Sequence, residues 1–577
     1  MAKITIDGKT AEVKDGITIL QAAEALGIDI PHFCYHPALS ISGNCRMCLV
    51  EVEKMPKLVI ACATRVMDGM VVYTQNEKVK KARQAVLEFI LINHPLDCPI
   101  CDEAGECKLQ NYTYIYGPGH SRFDEEKVHK PKRVPLGPNI VLDVERCIMC
   151  SRCIRFFDEI VKDPQLTFIQ RGDRVVLTTF PGKRVDNPYS MNIIDICPVG
   201  ALTSKDFRFK ERTWNMTAVS SICPGCARGC NVYLWVRNNQ ILRITPRVNM
   251  EVNRYWMCDY GRFTYKPVNS DDRIKSPMVR QNGELVEVEW DVAIEKAVSL
   301  LKDVKPDEVA VIGSAYATNE DNFALRKFAK SVLKAKYIDF LSHVKDGDED
   351  DFLIRADKTP NSTGARLVGI GASDGFGFES IVEGLRTKKF KVIYVMDDDI
   401  VLNDEIYNLL DGVDVIVHAT NWNKTVEKAT VVFASASFAE KEGTFTNFEG
   451  RVQKLNIAVL PKDVEPYMVY KPRKFGEARP NTGEIDKSKL ALSRLFKFGT
   501  QFDRWSSGER RNVKPSWWVI SQIASNLGVK FNYEKVEDVF NDLSQTVREF
   551  KGLTYESIGD EGAMINLASK KVTSVEI

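Results

Sequence analysis

The strongest indication of the fold is the stretch Cys147-Ile148-Met149-Cys150-Ser151-Arg152-Cys153, together with Cys197-Pro198 further along the chain. A C-x2-C-x2-C triplet with a remote Cys-Pro is the bacterial ferredoxin pattern, in which four thiolates hold a [4Fe–4S] cluster. Because there is one triplet and one such Cys-Pro, this segment is predicted to hold one cluster. We call its four cysteines the third site, after their order in the chain.

The remaining cysteines fall into three further groups of four ligands. The chain has 15 cysteines, and His94 completes the second group. The first site is Cys34, Cys45, Cys48 and Cys62; the second is His94, Cys98, Cys101 and Cys107; the fourth is Cys223, Cys226, Cys230 and Cys258. A row of such groups along one chain predicts a path for electrons.

The spacing within each group predicts its metal. The first site, C-x10-C-x2-C-x13-C, suits a [2Fe–2S] cluster, although it differs from the plant-type spacing in its first gap. One histidine and three cysteines suit zinc as well as iron; the context favours a [4Fe–4S] cluster at the second site. A neutral imidazole ligand would raise that cluster's reduction potential. The fourth site, C-x2-C-x3-C-x27-C, predicts another [4Fe–4S] cluster, with structural zinc as the alternative.

Composition narrows the functional class. With 577 residues and a net charge of +1, the chain is long enough for several domains and has no electrostatic footprint for nucleic acid. Clustered cysteines in a long chain indicate metal binding rather than disulfides. No apolar run reaches the 18 residues of a membrane span, and the first residues show a strand pattern rather than a targeting peptide. We expect a soluble protein that reaches a membrane only through partners.

Local patterns predict the main elements. Thr18 and Gln21 form a capping box for a helix that Gly27 closes, and a second helix runs from about Glu77 to Asn93. Residues 94–215 are irregular and rich in ligands, and the basic turn around Lys127 and Lys132 is expected to be solvated. From about residue 290, helices alternate with buried strands, beginning with a strand at Val309–Gly313 and a helix from about Asn319 to Lys334. This alternation predicts a parallel sheet covered by helices. The Gly-rich stretch 369–375 is expected to be a simple turn.

The residues then resemble a known family, the large iron–sulfur subunit of bacterial respiratory complex I, the NADH:quinone oxidoreductase. The string HPLDCPICDEAGEC at 94–107 is similar to that family's histidine-containing motif, and Cys45-Arg46-Met47-Cys48 and the third site match in order and spacing. The string GTFTNFEGRVQ at 443–453 is similar to part of the family's molybdopterin-oxidoreductase-like domain. The resemblance covers most of the chain, and it is strongest up to about residue 270 and at 430–455.

The resemblance implies a fold and a domain order. It implies an α+β multidomain protein with a β-grasp [2Fe–2S] ferredoxin domain, [4Fe–4S] segments and an α/β molybdopterin-oxidoreductase-like domain. The expected divisions are a ferredoxin domain at 1–78, the histidine-containing segment at 79–120, a ferredoxin-like segment at 121–215, a further [4Fe–4S] domain at 216–272 and the α/β domain at 273–577.

The resemblance also implies an electron relay. One [2Fe–2S] cluster at the first site and [4Fe–4S] clusters at the other three would receive electrons from FMN on an NADH-binding partner. They would pass them to a further iron–sulfur subunit and quinone, with the fourth site off the main route. The implied partners are the other complex I subunits, on the cytoplasmic side of a bacterial inner membrane. Nucleic acid is not an expected partner.

The alternative class is the iron–sulfur and molybdopterin subunit of an NAD-linked formate dehydrogenase or a hydrogenase complex. Three features count against a molybdenum enzyme: no cysteine follows Cys258, Tyr260 stands where such enzymes usually have lysine, and the α/β portion is short. No molybdenum cofactor is therefore expected, and no residue is nominated as catalytic. A scaffold that holds structural zinc is the third class, and it would be colourless.

Overall fold

The computed structural model describes residues 1–371, 376–464 and 508–567. These residues form two compact units, one covering 1–216 and the other the described residues from 217 onward. Residues 372–375 of the predicted Gly-rich turn, and 465–507 and 568–577 of the predicted α/β domain, lie outside the described residues. Among the helices that are described, none has both the length and the apolar character needed to cross a membrane.

The first unit begins with a five-stranded sheet that packs on one helix. Its strands are β1 Ala2–Ile6, β2 Lys9–Val13, β3 Leu49–Val52, β4 Val59–Ile60 and β5 Met70–Tyr73, and its helix is α1 Ile19–Ala25. The strand order is β2-β1-β5-β3-β4, and β1 pairs with β5 in parallel while the other pairs are antiparallel. A mixed sheet of this kind wrapped around a helix is the predicted β-grasp ferredoxin domain.

The capping box of α1 confirms the local prediction. The Thr18 side chain accepts a hydrogen bond from the backbone N–H of Gln21, and the Gln21 side chain accepts one from the Thr18 N–H at 2.9 Å. Gly27, at φ +67°, has the left-handed conformation that ends the helix. The apolar face of α1, with Ile19 and Leu20, is fully buried against the sheet.

A second helix leads from this domain to the second site. Helix α2 spans Glu77–Leu91, two residues shorter than predicted, and Asn76 caps it by accepting from the Val79 N–H at 3.0 Å. The Lys127 ammonium caps the C-terminus of α2 by donating to the Leu91 and Ile92 carbonyls at 2.8 and 2.6 Å. A cation at a helix C-terminus pairs with the exposed carbonyls and with the helix dipole.

The rest of the first unit is built from short elements, as the irregular pattern predicts. They are α3 Lys108–Tyr116, β6 Val134–Pro135, β7 Ile140–Leu142, α4 Arg152–Arg155, β8 Leu166–Ile169, β9 Val176–Thr179, α5 Asn192–Asp195 and β10 Leu202–Ser204, with a π-helical turn Phe156–Val161 and 3-10 turns Cys98–Ile100, Gly172–Arg174 and Thr213–Asn215. Strands β10, β7 and β6 form one small sheet, and β8 and β9 form a hairpin.

The second unit opens with a small antiparallel sheet and two short helices. These are β11 Thr217–Ile222, β12 Asn231–Arg237, β13 Gln240–Pro246, α6 Asp259–Arg262 and α7 Lys266–Asn269. Three cysteines of the fourth site lie in the loop from β11 to β12, and helix α6 begins directly after the fourth, Cys258.

The larger part of the second unit is a seven-stranded sheet with helices. Its strands are β14 Met278–Gln281, β15 Glu284–Glu287, β16 Val309–Gly313, β17 Tyr337–Phe340, β18 Val392–Met396, β19 Asp414–Ala419 and β20 Val431–Ala434. The helices are α8 Trp290–Leu301, α9 Asn319–Ser331, α10 Ser362–Leu367, α11 Phe378–Arg386, α12 Asp404–Leu409, α13 Lys424–Lys428, α14 Ser516–Asn526, α15 Val536–Thr546 and α16 Tyr555–Ile558, with a 3-10 turn Arg548–Phe550.

The order of this sheet confirms the predicted parallel core. It is β15-β14-β20-β19-β18-β16-β17, and the five strands from β20 to β17 run in parallel. All residues of β16, β18 and β20 are buried, as expected for a parallel sheet covered on both faces. A separate small sheet joins β21 Gly443–Thr446, β22 Arg451–Leu455 and β23 Ala563–Met564.

Candidate iron–sulfur centres

The first site lies in the loop between α1 and β3, and Cys62 joins it from the segment after β4. The thiols of Cys34 and Cys45 are hydrogen-bonded to each other, as are those of Cys48 and Cys62. The negative charge of Cys34 also acts on Cys48 and Cys62. The structure therefore brings all four predicted ligands into one neighbourhood, and three of them are buried.

Local hydrogen bonds favour a thiolate at the first site. The pKa of Cys34 is lowered to about 5, chiefly because the Cys45 thiol donates to it, and the backbone N–H groups of Asn44 and Cys45 act in the same direction. The same hydrogen bond, with burial, raises the pKa of Cys45. Iron binds cysteine as thiolate, so the donor set fits a [2Fe–2S] cluster.

The third site surrounds a cavity of its own. Its four cysteines line one small cavity, closed on the apolar side by Phe168 and Leu177. Burial raises the pKa of all four thiols, that of Cys147 to about 12, and in Cys153 the neighbouring thiolates add to the effect. Buried thiolates repel one another, and a cation bound between them relieves that repulsion. This donor set therefore fits the iron of a [4Fe–4S] cluster.

The backbone of the third site turns its amides toward the sulfurs. Met149 and Ser151 have left-handed conformations, at φ +54° and +60°. The Met149 N–H donates to Cys147 and the Arg152 N–H to Cys150, and each of these hydrogen bonds lowers the pKa of its thiol. Alternating right- and left-handed residues form anion-binding concavities that are common at iron–sulfur sites.

The second site combines an exposed thiol with buried ligands. Cys98 is exposed, whereas Cys101 and Cys107 are buried, and burial raises the pKa of Cys107 to about 12. Cys101 lies within electrostatic reach of Cys98, and Cys107 within reach of Cys101. Burial lowers the pKa of His94 to about 4, so its imidazole is neutral at pH 7 and fits a metal ligand.

A charged network surrounds the second site. Arg146 lies within electrostatic reach of both His94 and Cys101. Its guanidinium donates to Asp97 at 2.8 and 3.1 Å and is 3.3 Å from Asp143. Lys132 also donates to Asp97, at 2.6 Å. The basic turn is partly exposed, but Lys132 has a specific partner beside the predicted ligands.

The fourth site opens onto a cleft of about 660 Å³ that is lined by all four of its cysteines. Tyr260, Tyr316 and His343 line the same cleft. Burial raises the pKa of the Cys223 and Cys230 thiols, and that of Cys258 to about 11. This arrangement of three ligands on one loop and one at a helix start fits a [4Fe–4S] cluster.

Close backbone approach is needed at the fourth site. A Cβ atom at Gly261 would lie 3.0 Å from the Cys223 sulfur. The Gly261 N–H points to the Cys258 sulfur, at 3.4 Å. A side chain at this position would crowd the Cys223 sulfur and the Met257 methyl group, so glycine is favoured by the space beside this predicted ligand.

The segment 443–453, singled out in the sequence only by resemblance, supports the fourth site. The Gln453 side chain donates to the Gly229 carbonyl at 3.1 Å, and the Asn447 side chain donates to the Arg228 carbonyl at 3.3 Å. The Phe448 N–H donates to the Ala227 carbonyl at 3.0 Å. The segment thus fixes the loop that contains three of the four cysteines.

Across the described residues, no three His, Cys, Asp or Glu side chains are arranged to hold a single metal ion. The ligand sets remain predictions: shared cavities support the third and fourth sets, and mutual electrostatic effects link the cysteines within the first set and within the second. The charges that act most on His94 are those of Arg146, Lys127, Asp97 and Lys132. Sequence reasoning missed Arg146, Arg152 and Arg155, which contact the predicted ligand loops. The signal that could have found them is the occurrence of arginine directly before, within and two residues after the C-x2-C-x2-C triplet.

Family models match successive parts of the chain. Residues 1–77 match a 2Fe-2S iron-sulfur cluster binding domain, residues 83–122 the NADH-ubiquinone oxidoreductase-G iron-sulfur binding region, and residues 137–203 the ferredoxin-like domain of NADH-quinone oxidoreductase subunit 3. Residues 216–270 match a molybdopterin oxidoreductase Fe4S4 domain, and residues 273–376 and 361–463 match molybdopterin oxidoreductase. These matches confirm the predicted fold class.

Two curated relatives are similar to a little more than half of this chain. The G subunit of NADH-quinone oxidoreductase from Rickettsia bellii is 44% identical over 332 residues, which are 58% of this chain and 48% of the relative. The NADH-ubiquinone oxidoreductase 75 kDa subunit of Reclinomonas americana is 45% identical over 54% of this chain and 45% of the relative. The chain spans about half the length of these curated relatives.

A solved structure of a NAD+-reducing [NiFe]-hydrogenase is 30% identical to the chain, with a TM-score of 0.34, and the match covers 37% of this chain and 91% of that one.

The fold and the cysteine sites define the class as an iron–sulfur protein in which a ferredoxin domain precedes a molybdopterin-oxidoreductase fold. The matched models include both 2Fe-2S and 4Fe-4S binding domains. Within that class, the chain is similar to G subunits of NADH-quinone oxidoreductase, and residues 83–122 match the NADH-ubiquinone oxidoreductase-G iron-sulfur binding region.

Proposed function

We propose that this chain is the electron-relay subunit of the peripheral arm of an NADH:quinone oxidoreductase. In this proposal one [2Fe–2S] cluster occupies the first site and a [4Fe–4S] cluster each of the other three. The domain boundaries and ligand sets predicted from the sequence form part of the proposal. The chain itself holds clusters and has no substrate-turnover site.

The observation that carries the proposal is the direct contact of the third site with both the first and the second. The Asn44 side chain, in the first-site loop, donates to the Met149 carbonyl in the third-site loop at 3.0 Å. The Lys108 N–H, next to Cys107, donates to the Pro198 carbonyl, next to Cys197, at 3.2 Å. These contacts support a spatial order of first, third and second site, which differs from the order along the chain.

A glycine permits the close approach of the second and third sites. Gly200 lies three residues after Cys197, and a Cβ atom there would be 2.2 Å from the Cys101 sulfur. No side chain fits at that distance, so glycine allows the third-site backbone to reach a second-site ligand. We propose that electrons enter at the first site, pass to the third and leave through the second.

The other parts of the proposal concern partners. Electrons come from FMN on an NADH-binding partner subunit and go to a further iron–sulfur subunit and quinone. The chain attaches peripherally, through those subunits, to the cytoplasmic side of a bacterial inner membrane, and it has no role with nucleic acid. The fourth site, which lies in the second compact unit, is proposed to be off this route.

The alternative, a formate dehydrogenase or hydrogenase subunit, is not favoured by the names of the relatives. Analysis of iron, sulfide, zinc and molybdenum in the pure chain separates the classes. The relay requires about fourteen iron atoms per chain, from the iron content of the four clusters, and no stoichiometric molybdenum. Stoichiometric molybdenum would favour the alternative. Zinc in place of iron would exclude both electron-transfer classes and favour a scaffold that holds structural zinc.

The order of transfer has its own test. In the complex reduced by NADH and frozen at successive times, the first-site EPR signal should appear before the third and the third before the second. Appearance of the second-site signal before the third would contradict the proposed route while leaving the cluster content intact.

A further inference from the structure

Arg155 joins the loops of the first and third sites. One guanidinium nitrogen donates to the Cys34 carbonyl at 2.6 Å and to the Cys150 carbonyl at 3.3 Å, and another donates to the Ser40 carbonyl. Its Nε donates to the Ser151 hydroxyl at 3.2 Å. A single side chain thus binds the backbone at one ligand of each site.

Arg152 makes a second connection of the same kind. It donates to the Tyr35 carbonyl, next to Cys34, and to the Ile196 carbonyl, next to Cys197, at 3.1 Å. Both arginines belong to the short helix α4, which also contains Cys153, the last cysteine of the C-x2-C-x2-C triplet. The planar fork of guanidinium directs several donors at once, which a lysine ammonium does not reproduce.

The two cations also act on the charges of both sites. Arg152 is 1% exposed and Arg155 is 9% exposed. Arg155 acts electrostatically on Cys34 and on Cys150. Arg152 interacts in the same way with Cys34, Cys45 and Cys150. Because charges interact more strongly away from water, these cations favour the state of either cluster that has the additional electron.

We propose that Arg152 and Arg155 are positioning residues that hold the first and third sites at one fixed separation and raise the reduction potentials of both clusters. This inference rests on the proposed function, because it requires a cluster at each site. One pair of side chains then raises the reduction potentials of both clusters. The potential difference that drives electron transfer between them is therefore preserved.

The test compares two substitutions of Arg155 in the full cluster-loaded chain by redox-titrated EPR. Arg155→Met removes the charge, and the midpoint potentials of the first- and third-site clusters should both fall. The expected size is at least a tenfold change in the ratio of reduced to oxidised cluster, which is about 59 mV for one electron. Arg155→Lys retains the charge, so the midpoints should stay closer to native, while the magnetic interaction between the two reduced clusters weakens.

Arg83 provides a matched control. It is also fully buried, and it donates to the Leu49 carbonyl at 3.3 Å and to the Tyr116 hydroxyl at 3.4 Å. Its charge acts on Cys48 of the first site. Arg83→Met should therefore shift the first-site midpoint and leave the third-site midpoint at its native value.

Several outcomes would overturn the inference. Unchanged midpoints in Arg155→Met, or a shift of one cluster alone, would remove the joint tuning role. Loss of both clusters in Arg155→Lys would make the arginine a requirement for folding instead. A native chain without [2Fe–2S] and [4Fe–4S] signals would refute the proposed function itself. If the native chain has these signals but the variants have unchanged midpoint potentials, only the role of the arginines is refuted.

Discussion

At the scale of single residues, His94 is the one predicted ligand that adds no negative charge. Burial holds its pKa at about 4, so it is neutral at pH 7. We predict that His94→Cys lowers the midpoint potential of the second-site cluster, because a thiolate ligand adds negative charge. Redox-titrated EPR measures this shift.

The same variant tests whether the sites are independent. His94→Cys and His94→Ala should leave the other three clusters assembled, since no other predicted set uses His94. Simultaneous loss of all four signals would show that the sites assemble only together.

Arg146 and Lys132 both donate to Asp97, so substituting each of them shows how burial changes the stability that an ion pair contributes. The Arg146 side chain is 4% exposed and that of Lys132 is 39% exposed. Arg146→Met leaves Asp143 buried without this cation and should reduce the free energy of unfolding by about 3 kcal/mol. Lys132→Met should cost less than Arg146→Met, because water partly screens the half-exposed ammonium, although Lys132 also pairs with Glu145 at 2.8 Å. Urea denaturation followed by circular dichroism compares them, and equal losses would contradict the argument.

At the scale of elements, a buried carboxyl connects α9 to β21. Glu320 accepts hydrogen bonds from the Thr444 N–H at 2.8 Å and from the Tyr555 hydroxyl at 2.8 Å. Burial nevertheless raises its pKa from 4.5 to about 7. The folded chain therefore keeps a proton that the unfolded chain releases near pH 4.5.

This shift gives a pH dependence of stability with a definite sign. Because the folded state binds more protons between pH 4.5 and about 7, the stability contributed by Glu320 falls as pH rises through that window. The total change is on the order of 3 kcal/mol. Hydrogen exchange of the α9 amides, corrected for intrinsic rates, should show the decline in the native chain. Glu320→Gln should remove it, and equal slopes in the two chains would contradict the assignment.

The sequence predicts those elements whose signals are local. The capping box of Thr18 and Gln21 and the buried strand Val309–Gly313 appear as predicted, because each depends on neighbouring residues. The prediction for α9 extends to Lys334, but the helix ends at Ser331, and Lys334 is left-handed at φ +53°. Strands β14 and β15 were not predicted, because their place in the sheet depends on pairing with β20, far along the chain.

The sites divide in the same way. The cysteine ligands can be predicted from the sequence because cluster binding depends on residue type and spacing. Two of the carbonyls that Arg155 binds, those of Cys34 and Ser40, lie 121 and 115 residues away along the chain. No periodicity connects such positions, so only the folded structure shows that the arginine belongs to two sites.

At the scale of the whole molecule, the four predicted sites are divided between two compact units. The first three share contacts within residues 1–216, and the fourth lies among residues 217–464 and 508–567. Its cysteine loop is supported by Asn447 and Gln453 of the same unit. Assembly of the fourth cluster should therefore depend on the second unit alone.

We predict that Cys226→Ser removes the fourth cluster while the other three form normally. Iron should fall by about four atoms per chain, and the EPR signals of the first three clusters should retain their native intensities. The matched variant Cys150→Ser should instead remove the third-site signal and leave the fourth intact, since these two cysteines lie in different units. Loss of first-unit signals in Cys226→Ser would show that the units depend on each other for assembly, and it would contradict a relay whose first three sites form a self-contained row.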